Sequence, residues 1–208
     1  MTTSVKSTDR QILTMDDASI DKKQGAKVGI SIMHSDTLEW IPKFRTLFEQ
    51  KVTSYKKGMR NADAMFSSEE KDFLRALGAT PQEIFDFVED WCEDGEPDLE
   101  MAIAITKIRR DYFLNEQQGQ YSKIVKNTDL FPPREASLAG LEWFPRIIEK
   151  ARAKLRGELP VDLMYSCGAD RRFLKKVNID PDEFLQRVWE AGDDVDHILK
   201  FVADRSTT

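Results

Sequence analysis

Cys167, Asp170, Arg171 and Arg172 fall within six consecutive residues, and upstream of them Trp143, Arg146 and Lys150 stand at i, i+3 and i+7. A thiol at the start of a helix and next to two guanidinium groups has its thiolate favoured by both the helix dipole and the cations. Cys167 is therefore a candidate nucleophile, and Asp170 a candidate general acid or base. On a helix, Trp143, Arg146 and Lys150 share one stripe. Together with Arg171 and Arg172 they are candidate ligand-binding residues for a carboxylate or phosphate, arginine adding bidentate geometry and the ring a floor for a planar group. Plainer roles compete with each of these. Glu142, Arg146, Glu149 and Lys150 also suit a solvated helix face, with ion pairs worth about 0.3 to 0.5 kcal/mol each. Cys167 also suits a small buried hydrophobe, with no histidine placed by sequence to serve it as a base, and Asp170 a first-turn helix acid.

These residues stand out because the chain echoes itself. Leu38-Glu39-Trp40-Ile41-Pro42-Lys43 returns as Leu141-Glu142-Trp143-Phe144-Pro145-Arg146, and the block from Phe73 to Phe85 returns, with its apolar positions in step, from Phe173 to Leu185. The reading is an internal duplication, in which residues shared by both copies (Trp40 and Trp143, Pro42 and Pro145, Phe73 and Phe173, Pro81 and Pro181) serve a common scaffold. Lys43, Leu47 and Glu49 then stand opposite Arg146, Lys150 and Arg152. Ser67, Glu70, Lys71 and Asp72 stand opposite Cys167, Asp170, Arg171 and Arg172. The second copy gains four arginines, a lysine and a thiol, which makes it, or the seam between the copies, the place to look for a task.

Helices must position these groups, because alternation of β-branched residues is nearly absent. The expected fold is all-α, built from internally duplicated helical repeat units, with at most a small β-hairpin where residues 58–66 and 158–166 connect helices. Leu38, Ile41, Phe44 or Arg45, Phe48 and Val52 predict the first long helix. Leu141, Phe144, Ile148, Ala151 and Leu155 predict its equivalent, ending near Gly157. Ser67-Ser68-Glu69-Glu70 reads as a capped helix start. So do Thr80-Pro81-Gln82-Glu83 and Asp180-Pro181-Asp182-Glu183, each with a capping oxygen and Pro at the first helical position. Asp193, Asp194 and Asp196 read as dipole-favouring charges at the start of the last helix, and Tyr165 as a core position. The organisation is a flexible N-terminal tail over 1–30, with Ile12, Leu13 and Met15 as a short anchor; a first, diverged repeat over 31–115; a linker over 116–136; and a second repeat over 137–204.

Composition narrows the function classes. The 208 residues carry a net charge of −6 and a pI near 5.1, which argues against a nucleic-acid partner held by phosphate neutralisation. The sequence holds no apolar run of eighteen residues and no secretory signal at its start, so the expectation is a soluble cytoplasmic protein without a membrane partner. Cys92 and Cys167 occupy non-equivalent places, which favours reduced thiols over a disulfide. His34 and His197 lack neighbours at ligand spacing, so no zinc site is recognisable and no metal ligand is assigned, while the plentiful acidic residues leave a carboxylate metal site open; the cofactor is unassigned.

The second half carries a further pattern: Pro132-Pro133-Arg134-Glu135, then Gly140-Leu141 followed at fixed spacing by Arg146, Lys150 and Arg152, then Cys167 with Asp170-Arg171-Arg172-Phe173-Leu174, and Phe184. Over about the last 75 residues this resembles an uncharacterised bacterial family, a domain of unknown function numbered five-zero-six-nine. The resemblance implies domain boundaries and brings no chemistry with it. Two readings follow from the residues. In one, the cationic cluster binds a small anionic molecule, with or without acting on it. In the other, the chain is a helical protein-interaction module or complex subunit that docks through its N-terminal tail and catalyses nothing.

Overall fold

Capping residues mark where most of the helices begin. The computed structural model describes residues 39–206. Helix α1 spans Trp40–Lys56, α2 Ala62–Met65, α3 Ser68–Ala76, α4 Pro81–Asp94 and α5 Leu99–Asn115. A 3-10 turn at Thr128–Leu130 and an antiparallel hairpin, β1 (Ser137–Leu138) with β2 (Leu141–Glu142), precede α6 (Phe144–Arg156), α7 (Gly168–Lys176), α8 (Pro181–Ala191) and α9 (Val195–Ser206). The fold is all-α with one small hairpin. Ser67 with Glu70, and Thr80 with Glu83, each close a reciprocal capping box, satisfying amides that the first helical turn leaves without partners. Asp180 differs from expectation: Pro181 opens α8, but the Asp180 side chain makes no cap hydrogen bond.

The echoing blocks take the same local course. Ser67 and Cys167 are extended N-caps with nearly identical dihedrals (φ −68°, ψ 167° and φ −64°, ψ 167°). Helices α3 and α7 both end with an amide turned back to a leucine carbonyl, Leu77 to Leu74 and Val177 to Leu174. The next residue is left-handed in both, Gly78 at φ 69° and Asn178 at φ 54°.

Two expectations about the second half are corrected. The hairpin forms at residues 137–142, because Ala139 and Gly140, both at positive φ, make the two-residue turn that suits paired strands; residues 58–66 instead contain α2. Leu141 therefore lies in β2, not on the helical stripe. Trp143 is the N-cap of α6 at φ 71°, its amide donating to the Ala136 carbonyl. A proline is accommodated only in a helix's first turn, so Pro145 keeps the start of α6 close behind it. In α1, Ile41 and Val52 are half-buried, and Phe44, Leu47, Phe48 and Tyr55 carry the buried face. The tail over 1–30, with Ile12, Leu13 and Met15, and also His34 and Leu38, lies outside the described residues.

Helix α5 packs against α6 and α8, and α7 and α9 lie against α8, around Ile105, Phe144, Ile147, Phe184, Leu185 and Val188. From Ile41 onward the chain forms one compact unit, so residues of its first half can reach a site in its second. The segment 116–136 is tied down: Tyr121 donates to the Arg75 carbonyl, Ser122 to Glu158 and Lys126 to Glu149, and Phe131 is buried. Among the described residues no helix is long and apolar enough to cross a membrane.

Fully buried Arg109 of α5 closes the end of α6. Its Nη1 donates to the Leu155 carbonyl at 2.9 Å and to Gln117 Oε1 at 2.7 Å, and Gln117 Nε2 donates to the Arg156 carbonyl at 3.1 Å. Gly157 follows at φ 68°, where a β-carbon would stand 2.6 Å from Arg109 Nη2. Gly95, at φ 75°, would place its β-carbon in open space. Gly95→Ala should therefore cost only the left-handed backbone, about 1 to 2 kcal/mol. Gly157→Ala should lower the unfolding midpoint in urea clearly further by displacing Arg109. Equal losses in the two variants would contradict this account of the α5–α6 contact.

Candidate functional site

Three chain segments converge on one buried carboxylate. Asp170, the third residue of α7, is fully buried and accepts from the Ser166 amide (2.9 Å), the Trp143 indole Nε1 (2.8 Å) and Lys150 Nζ (2.5 Å). A carboxylate removed from water requires such partners. Lys150, on α6 and only 2% exposed, also donates to Cys167 Sγ at 3.2 Å. Arg146, one turn earlier on α6, lies with its Cζ 5.6 Å from the Trp143 ring and donates through Nη1 to the Pro132 carbonyl. At 9% exposure it is nine-tenths buried, yet among the described residues it pairs with no carboxylate.

These groups face a cleft of about 310 Å³. Arg134, Trp143, Arg146, Lys150 and Cys167 form one wall. Asp86, Glu89 and Asp90 of α4, with the loop 161–164, form the other. The helical stripe read from the sequence thus reaches a common wall although Trp143 precedes the helix. Asp170 lies behind that wall, its oxygens occupied. Arg171 is not a lining residue but is bonded to one: its Nη1 donates to Asp90 (2.7 Å) and to the Ser166 carbonyl (2.6 Å), and Asp94 and Glu96 lie within 3.4 Å of its other nitrogens. Arg172 is exposed and outside the cleft wall. Tyr165 is core, its hydroxyl donating to the Pro181 carbonyl.

The sequence reading did not select Arg134, Asp86, Glu89, Asp90 or Asp162. A signal for three of them was present, since Asp86, Glu89 and Asp90 stand at i, i+3 and i+4 and so share a helix face. Their environments differ. Asp90 is paired with Arg171, whereas Asp86 accepts from Gln82 Nε2 (2.7 Å) and Glu89 from the Tyr55 hydroxyl (3.1 Å), with no base beside either among the described residues. Asp162 accepts from Thr128 Oγ1. Among the described residues, no three His, Cys, Asp or Glu side chains are grouped to hold a metal ion.

Residues 131–208 match the family model of a domain of unknown function, DUF5069. The match runs from Phe131 through the hairpin and α6 to α9 and takes in the cationic wall of the cleft, while Asp86, Glu89 and Asp90 precede it. No curated protein and no solved structure matches the chain.

Burial pushes the Asp86 carboxyl up to about 7; the Gln82 donor opposes this, and the negative charges of Glu83, Glu89 and Asp90 reinforce it. An unfolded aspartate titrates near about 3.9. Between these values the folded state holds the extra proton, so its stability falls as the pH rises from about 4 through about 7. Relative to Asp86→Asn, the wild-type protein should lose melting temperature between pH 5 and pH 8. Parallel melting profiles for the two proteins over that range would show that Asp86 is not held protonated.

Proposed function

We propose that this cleft binds a small anionic molecule, with Arg146 as the residue that holds its acid group and Arg134 at its mouth. The observation that carries the reading is the state of Arg146. Among the described residues Lys51, Lys150, Lys154 and Arg171 are buried with carboxylate partners, whereas Arg109 and Arg146 are not; Arg109 closes the end of α6 away from this cleft, and Arg146, held by a carbonyl and a ring, is the one of the two that lines it. A guanidinium with free donors in a sheltered cleft is suited to grip a carboxylate or phosphate through two parallel hydrogen bonds. Lys150, already neutralised by Asp170, sets the shape of the wall. Asp170 acts as a positioning residue for Lys150 and Trp143, since three donors occupy its oxygens.

Cys167 lines the cleft and reports on its occupancy. A competing reading, a protein-docking module, draws on the exposed apolar side chains Ile124 and Leu130, and it predicts that small anions leave Cys167 untouched. Alkylation by iodoacetamide, followed peptide by peptide by mass spectrometry, separates the two. At least one of inorganic phosphate, succinate or citrate should slow labelling of Cys167 and not of Cys92. In Arg146→Ala the protecting concentration should rise about tenfold or more, as for a lost hydrogen bond to a charged group, with Arg146→Lys in between. Unchanged labelling with all three anions, or equal protection in Arg146→Ala, would refute the assignment.

A further inference from the structure

A second cleft, of about 350 Å³, adjoins the first, and the two share Asp86, Val161 and Leu163 in their walls. Its character is different. Ala62, Pro81, Val125, Leu159 and Pro160 give it an apolar lining, and among the described residues its charged lining is all acidic, with no Lys or Arg. Val125 and Val161 are 69% and 79% exposed, which is costly apolar surface to leave in water when it lines a concavity.

The shared surface presents three chemistries in sequence. At one end Arg146 is a buried cation without an acid partner among the described residues. In the middle are the carboxyl groups of Asp86 and Glu89, with no base beside either among the described residues. At the far end is an apolar arm. A purely anionic ligand would satisfy Arg146 but would bring its charge against Glu89 and Asp86, beside which no base stands among the described residues. A purely cationic one would leave Arg146 unmet. We infer that the joined clefts take an amphoteric ligand, a small α-amino acid with an apolar side chain: its carboxylate on Arg146, its ammonium against Asp86 and Glu89, and its side chain across Val161 into the arm lined by Val125 and Leu159. This rests on the anion-binding reading and specifies the ligand class. The raised proton affinity of Asp86 agrees with it, because a bound ammonium would add a positive charge beside a carboxyl group whose charged neighbours are Glu83, Glu89 and Asp90.

Calorimetric titration of the full chain with four probes tests each contact. L-norleucine carries all three groups; hexanoate lacks the ammonium, pentylamine lacks the carboxylate, and L-alanine lacks the chain. L-norleucine should bind at least about tenfold more tightly than each of the others, the scale of one well-made polar or apolar contact. The advantage over hexanoate should vanish in Asp86→Asn/Glu89→Gln. The advantage over L-alanine should vanish in Val125→Ser/Val161→Ser, where both positions are exposed and the fold does not depend on them. Hexanoate equal to L-norleucine overturns the ammonium contact, and L-alanine equal to it overturns the apolar arm. No heat with L-norleucine at millimolar concentration, while phosphate, succinate or citrate still protects Cys167, overturns the ligand class and leaves the anion site standing. Failure of both experiments overturns the site itself.

Discussion

The second half is organised around a carboxylate that cannot reach water. Asp170 sits at the start of α7 with three donors on it, one from its own entry loop, one from α6 and one from the residue that ends the hairpin. Burying such a charge is unfavourable by several kcal/mol unless a counter-charge and hydrogen-bond donors meet its oxygens, and removing one partner of a buried pair costs about 3 to 5 kcal/mol. That constraint fixes where α7 lies against α6, holds the Trp143 ring edge-on to the carboxylate, and puts Cys167 within reach of the Lys150 ammonium. The cleft wall is a consequence of it. Arg146 is left over, one turn back on α6, near the same ring and with no acid of its own among the described residues.

The first half contains a related device. Lys51 of α1 is buried and donates to both oxygens of Glu70, which stands at the third position of α3 and also accepts the Ser67 amide. A lysine from the preceding long helix thus meets an acid in the first turn of a short one in both halves. The lysines do not align in sequence, however. Lys51 falls opposite Lys154, while Lys150 falls opposite Leu47, one helical turn away. Lys154 is used differently, pairing with Glu83 of the α4 capping box and so joining the two halves.

This explains how far the site was legible in the sequence. Aligning the echoing blocks pointed to a gain of cations in the second half, and Trp143, Arg146, Lys150 and Cys167 do line one wall. Helical spacing and capping patterns are local, so the boundaries of α3, α4 and α8 could be read directly. What the gained charges face is not local. Lys150 answers Asp170, Arg171 answers Asp90 from the other half, and Arg152 bonds Glu149 and the Gly192 carbonyl, which leaves Arg146 as the gained cation that is buried without an acid among the described residues. Trp143 was misplaced because the Ala139-Gly140 turn and Pro145 together displace the helix start. The acidic wall was missed because Asp86, Glu89 and Asp90 read, one helix at a time, as ordinary surface charge.

The central claim is that the Asp170–Lys150 pair, enclosed by the Trp143 indole, sets the geometry of this region as one unit. A double-mutant cycle by urea unfolding tests it, using Lys150→Met, Asp170→Leu and the combined variant. If the claim holds, each single change strands a buried charge and destabilises by about 3 to 5 kcal/mol, and the combined variant loses markedly less than the sum of the two. Additive losses would mean that the two side chains contribute independently, and would contradict the account.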